Sequence, residues 1–159
     1  MVENIPEIHR CSVWNTIFNH TVWLANSVKV SVVICTYTMD HYTHVCDAAD
    51  SVLDQTYNDT ELVLISDGAP AVFQAMKRDY GDRTDTVVGM TEENGGVSQS
   101  RNLGGELSHG EIIAFIDDDA VAEPDWIEEL LKGYEQHDAL AVGGKMIPRW
   151  IVGKPSFLP

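Results

Sequence analysis

An α/β domain with a mainly parallel central sheet is the fold class this sequence predicts, on three observations. Short β-branched apolar runs alternate with stretches whose apolar residues recur at helical spacing, from about Lys29 onward. Polar residues and glycines interrupt the chain directly after the apolar runs, at Thr36-Tyr37, Ser66-Asp67-Gly68 and Asp117-Asp118-Asp119. The run Ile112 to Ile116, five apolar residues followed by three carboxylates, reads as a strand buried on both faces.

Taken in order, Val30 to Thr36 is almost wholly apolar and β-branched, as expected of a central parallel strand. After a polar turn from Tyr37 to Asp40, Tyr42, Val45, Cys46, Ala49, Val52 and Leu53 form the apolar face of a helix ending near Gln55. Glu61 to Ile65 is a second strand, Ala71 to Tyr80 a helix, and Thr84 to Met90 a third strand. The loop Glu92-Glu93-Asn94-Gly95-Gly96 leads into a helix from about Val97 to Leu107. The strand at Ile112 follows, then a loop to Pro124, which is well placed for the first turn of a helix. Ile127, Leu130, Leu131 and Tyr134 give that helix its buried face, and Leu140 to Met146 reads as a fifth strand. Residues 1–28 form an extension with no clear period, 29–147 the domain, and 148–159 the start of a further region with aromatic and apolar residues.

The length suits one domain with a core of ordinary size. With 25 acidic against 10 basic residues and a formal charge of −15, the surface disfavours nucleic acid as a partner. An acidic, lysine-poor surface of this kind resembles proteins of salt-loaded cytoplasm. Cys11, Cys35 and Cys46 are odd in number and lack metal-site spacing, which predicts free thiols in a reducing cytosol. No stretch approaches the ~18 consecutive apolar residues of a membrane span, and the N-terminus lacks the pattern of a signal peptide. A cytoplasmic location is expected, with the inner membrane surface as a possible place of work.

In open α/β sheets, ligands bind at the carboxyl ends of the strands. There the sequence places Thr36 and Tyr37, Asp67, and the three aspartates, while Gly95 and Gly96 precede a helix whose first turns carry Ser98 and Arg101. Each alone has an ordinary reading: a turn, loop punctuation, a surface arginine, a solvated acidic loop. Together they suit a nucleotide diphosphate. An aromatic stacks on a base, a carboxylate accepts a base N–H, arginine binds phosphate, and glycine lets backbone approach a ligand. Adjacent carboxylates repel unless screened, and a divalent cation is the natural screen. A receiver-like domain would carry its acid pair after the first strand, where Thr36-Tyr37 stands, and a calcium loop would need an oxygen ligand where Val121 lies.

Ser-Val-Val-Ile-Cys-Thr-Tyr (31–37), Leu-Ile-Ser-Asp-Gly (64–68), Asn-Gly-Gly-Val-Ser-Gln-Ser-Arg-Asn (94–102) and Ile-Ala-Phe-Ile-Asp-Asp-Asp (113–119) occur in an order that resembles the successive motifs of family 2 glycosyltransferases. The resemblance covers about residues 29–150 and includes Pro124-Asp125-Trp126 and Val142-Gly143-Gly144. It implies a GT-A fold, a Rossmann-like layered domain that is incomplete at its C-terminal side here, and a nucleotide-sugar donor, most often a UDP-sugar. It further implies that Thr36 and Tyr37 line the base pocket, that Asp67 accepts from the base, and that Gly96 and Arg101 lie near the nucleotide. Asp117-Asp118-Asp119 takes the place of an Asp-x-Asp motif, with Asp117 near ribose or metal, Asp119 ligating Mg²⁺ or Mn²⁺, and Asp118 beside the donor or facing solvent.

Three positions depart from the family pattern: Cys35 stands where Pro is usual, Thr38 where Asn is frequent, and Ser66 where Asp is frequent. Inverting transfer also needs a carboxylate to deprotonate the acceptor hydroxyl. No acidic residue follows Asp138, and His137 belongs to a surface helix by pattern, so a general base is not evident. The acceptor, a glycan, lipid carrier or other hydroxyl compound, would then be met by a second half or a partner chain. Two functional readings follow: the donor-binding part of a transferase, or a nucleotide-binding or interaction module that transfers nothing.

Overall fold

The computed structural model describes residues 28–137 and 139–149. Strands β1 (Val30–Thr36), β2 (Thr60–Ser66), β3 (Thr86–Met90) and β4 (Ile112–Phe115) alternate with helices α1 (Tyr42–Leu53), α2 (Pro70–Tyr80), α3 (Val97–Leu107) and α4 (Trp126–His137). The strands form one sheet in the order β3-β2-β1-β4, and every pairing is parallel. All strands therefore present their carboxyl ends at the same edge, which the sequence pattern requires for its polar groups to meet.

The two faces of the sheet are covered unequally. On one, Val30, Val32, Ile34, Leu62 and Leu64 pack with Val45, Ala48, Ala49 and Val52 of α1, Val72 and Met76 of α2, and Ile127 and Leu131 of α4. On the other, among the described residues, Val33, Val63 and Ile65 meet Cys35 and Val87 of the sheet and Leu103 and Leu107 of α3. Each such buried aliphatic side chain contributes roughly 1.5–3 kcal/mol, so β1 and β2, apolar on both faces, anchor the domain. Pro70 opens α2 one residue earlier than the apolar pattern indicates, because a first-turn proline has its backbone angle already set for a helix.

At the amino end of the sheet, Glu61 is buried beneath the turn that leads into β4. Its carboxylate accepts from the Ser31 hydroxyl at 2.7 Å and the His109 backbone N–H at 2.8 Å, lies 2.8 Å from His109 Nδ1, and sits 3.5 Å from Lys29 Nζ. Burial pushes this carboxyl up, but the accepted hydrogen bonds and Lys29 outweigh it and hold the group below its usual range.

Two expectations are corrected. The first concerns β4, which is not buried on both faces: Ile113 and Phe115 are 40% and 45% exposed. Among the described residues β4 pairs only with β1, and α3 packs mainly over β1 and β2, so the side chains of β4 on that face remain about half exposed. Second, Leu140 to Met146 forms no strand, and Leu140 and Met146 are almost fully exposed. A β-like run becomes a strand only by pairing, and no described strand offers this segment a ladder. Boundaries also shift slightly: β2 extends to Ser66, β3 begins at Thr86, and α1 ends at Leu53. The expectations for residues 1–27 and 150–159 lie outside the described residues.

Candidate functional site at the carboxyl edge of the sheet

The site begins where β1 and β2 end side by side, with Thr36 opposite Ser66 in the parallel register. Thr36 is 3% exposed, and its hydroxyl finds no hydrogen-bond partner among the described residues. A buried hydroxyl without a partner is costly, and this one is sealed beneath the surface of the edge. Tyr37 follows it and is 64% exposed, leaving its ring available for stacking.

Asp67 comes directly after β2 and is buried, unlike the exposed acids that dominate the surface. Its Oδ1 accepts the Gly95 N–H at 3.0 Å, and its Oδ2 accepts the Gly96 N–H at 2.9 Å. The Thr91 hydroxyl lies 2.9 Å from Oδ1 and 2.8 Å from the Glu93 carbonyl, so its single proton serves one of them at a time. Burial drives the Asp67 carboxyl upward, but these donors prevail and hold it below the usual carboxylate range. The Ser100 hydroxyl, wholly buried in the first turns of α3, adds to the pull without completing a hydrogen bond of its own.

The turn after Asp67 admits only glycine. Gly68 has φ +61°, and a Cβ there would fall 2.2 Å from the Asn94 backbone nitrogen. The loops after β2 and β3 thus lie backbone against backbone. The second of them ends at Gly96, whose φ of +85° turns the chain into α3 with no side-chain cap. The first amides of a helix lack intrahelical acceptors, so this end of α3 favours an anion.

Arg101 projects from α3 toward the end of β4. Its Nη2 donates to Asp117 Oδ1 at 2.9 Å, and its guanidinium lies 5.7 Å from the centre of the Phe115 ring. Both partners are well exposed, so this pair contributes well under ~1 kcal/mol to stability. It leaves most of the guanidinium donors open to an anionic ligand. Asp117 and Asp119 are exposed and Asp118 is half-buried. Cys35 lies near these groups: burial lifts its thiol to about 11 against the pull of Arg101, so it stays protonated and unreactive.

The structure therefore brings Asp67 and Gly96 into direct contact, and likewise Arg101 and Asp117; Thr36, Tyr37, Asp118 and Asp119 share their edge of the sheet. Among the described residues no three His, Cys, Asp or Glu side chains gather closely enough to hold a metal ion unaided. The donor set still fits a hard cation of the magnesium type, which is commonly held by one or two carboxylates together with substrate phosphates.

Several supporting residues escape the sequence pattern. Gln55 is buried at the end of α1, and its amide donates to the carbonyls of Ser51 and Glu123 while accepting the Ile127 N–H. Ser51 accepts the Ala122 N–H. These two residues fix the loop that leaves the aspartates and the start of α4. A polar residue ending an amphipathic helix is unremarkable in sequence, and no local signal marks Gln55 or Thr91.

Comparison with known proteins extends this picture. The family described as Glycosyl transferase family 2 matches residues 31–152. A glucosyl-dolichyl phosphate glucuronosyltransferase of Haloferax volcanii is 49% identical over 133 residues, covering 83% of this chain but 42% of that protein. The putative glycosyltransferase EpsH of Bacillus subtilis is 31% identical, covering 65% of this chain and 29% of its own length. This chain thus spans less than half the length of these relatives. Among solved structures, S. aureus TarS 1–349 in complex with UDP-GlcNAc superposes with a TM-score of 0.60 at 21% identity, covering 76% of this chain and 37% of that one. The mannosyltransferase PcManGT of Pyrobaculum calidifontis, in complex with GDP-Man and Mn²⁺, gives 0.57 at 20% identity, covering 69% and 33%. At such identities the likeness establishes the fold, which is GT-A. No helix among the described residues is long and apolar enough to cross a membrane. With the motifs in order on a four-stranded parallel sheet and the family match running from β1 past α4, the chain belongs to glycosyl transferase family 2.

Proposed function

We propose that this chain binds the nucleoside diphosphate sugar donor, a UDP-sugar, of a metal-dependent transferase that moves the sugar to an acceptor hydroxyl with inversion. The observation that carries the reading is the convergence at one sheet edge of an exposed Tyr37 ring, a glycine loop opening α3, and an arginine paired to the first of three aspartates. Tyr37 stacks on the base, and Arg101, with donors to spare beyond Asp117, meets the diphosphate. Asp117 and Asp119 would hold Mg²⁺ or Mn²⁺ jointly with the diphosphate, and Asp118 borders the donor. When bound, the ion neutralises charge on the departing diphosphate. Arg101 restrains Asp117 before the donor arrives, and Gln55 and Ser51 fix the loop beyond Asp119, so the carboxylates need little rearrangement on binding.

The general base is not among the residues placed here, and we assign it, with the acceptor pocket, to protein beyond the portion that this chain shares with its relatives. Isothermal titration of the chain with UDP tests the donor reading. Binding is expected with Mn²⁺ or Mg²⁺ and is lost in EDTA, and Asp119→Ala removes the dependence on metal. Absence of nucleotide binding with either metal contradicts the proposal.

A further inference from the structure

Resting on that donor-binding reading, we infer that Ser51 and Gln55, at the end of α1, are positioning residues that set how tightly the aspartate turn takes a divalent cation with the diphosphate. The turn is strung between two anchors. On the near side, as the chain leaves β4, the Ile116 N–H donates to the Val33 carbonyl of β1 at 3.2 Å. On the far side the Ala122 N–H donates to the Ser51 hydroxyl at 3.0 Å. Only residues 117–121 lie between, and the Ala120 N–H closes them into a turn on the Asp117 carbonyl at 3.1 Å. Packing does not hold this stretch. No side chain from Asp117 to Asp125 is buried, so the backbone depends on the polar groups that receive it.

Those groups come from α1 and the residues just past it. Ser51 gives its own proton to the Ala48 carbonyl at 2.7 Å, which leaves its oxygen to accept from Ala122. Gln55 is buried, and its amide nitrogen donates to the Ser51 carbonyl at 3.0 Å and the Glu123 carbonyl at 2.7 Å. Its Oε1 accepts the Ile127 N–H at 3.0 Å, so both donors and the acceptor are engaged. Thr56 continues the contact, its N–H donating to the Pro124 carbonyl at 2.8 Å. Without these partners the turn would have to be ordered each time a cation binds. Each backbone residue so ordered weakens binding by at least about fivefold.

Two measurements on the 159-residue chain test this. Without metal or nucleotide, amide exchange is expected to accelerate at Ala122 in Ser51→Ala and at Ile127 in Gln55→Met, with β1 and β2 amides unchanged. By calorimetry, affinity for the Mn²⁺–UDP complex is expected to fall at least about fivefold in either variant. Ser51→Thr keeps the hydroxyl and should bind within about twofold of the unaltered chain. Glu61→Ala, which removes contacts to Ser31 and His109 and none to this loop, should leave the affinity of the folded protein unchanged. Affinity within about twofold of the unaltered chain in both Ser51→Ala and Gln55→Met overturns the inference. An equal loss in Glu61→Ala overturns it too, since the effect would then follow general stability. If Gln55→Met does not fold, Ser51→Ala decides alone. Unchanged exchange at both amides overturns the anchoring. Absence of UDP binding to the unaltered chain with either metal is a different result: it defeats the donor reading and the cation role resting on it, while exchange still decides the anchoring.

Discussion

Strand β2 has a buried carboxylate at each end, Glu61 near its start and Asp67 just past its finish, and the two are held by different kinds of partner. Glu61 is gripped by Ser31, by His109 through backbone and ring, and by Lys29. These donors belong to side chains and to a turn that closes over the sheet, and a cation stands close by. Asp67 has no cation among its hydrogen-bond partners; it faces the N–H groups of two glycines and a threonine hydroxyl, all in a loop whose outer residues are exposed. The first arrangement seals an end of the domain. The second shapes an end that remains open, and the groups proposed to face the ligand are the exposed ones beyond it: Tyr37, Arg101 and the aspartates.

The largest effect is expected from Glu61→Ala. It leaves the Ser31 hydroxyl and the His109 amide without their acceptor, and should cost about 3 kcal/mol in urea unfolding. Nucleotide affinity of the folded fraction should not change, because Glu61 stands at the opposite edge from the site. Loss of affinity in folded Glu61→Ala would break the division of labour between the two ends.

Acidification should act on both ends. The folded pKa of each carboxyl is depressed, so the stability it contributes is complete above the unfolded values near 4 and is lost as pH falls through the lower folded values. The urea midpoint is expected to hold between pH 7 and pH 5 as far as these two groups decide it, and to fall below about pH 4. Glu61→Gln combined with Asp67→Asn should flatten that acid limb; a limb of unchanged steepness would show that other carboxylates control it.

The smallest stability effect belongs to Arg101→Ala. Its ion pair with Asp117 is exposed, so unfolding should shift by less than ~1 kcal/mol. UDP affinity, in contrast, should drop at least tenfold, because a charge-assisted contact to diphosphate is lost. Equal losses in stability and binding would mean that Arg101 serves the fold instead of the ligand.

Much of this was legible in the residues themselves. The β-branched runs and amphipathic stretches mark all four strands and all four described helices, since each element is patterned by its own period. Asp67 and the aspartates stand out because polar residues abruptly end apolar runs, whereas Gly96 and Arg101 stand out through the ordered motifs of the family resemblance. The partial exposure of β4 and the unpaired course of Leu140 to Met146 were not legible, because an apolar run does not say which strands lie beside it. Nor were Gln55 and Thr91, whose importance comes from partners 68 and 24 residues away. For the same reason the commitment of Asp67 to the glycine loop appears only when the chain is folded.

Paramagnetic broadening by Mn²⁺ in the amide spectrum of the chain, recorded with and without UDP, tests the central claim most directly. With UDP present, substoichiometric Mn²⁺ should broaden the amides of Asp117 to Asp119 and of Gly96 to Arg101 selectively, leaving those around Glu61 and His109 sharp. Broadening that is uniform over the acidic surface, or centred away from the carboxyl edge of the sheet, would contradict a metal–diphosphate site there.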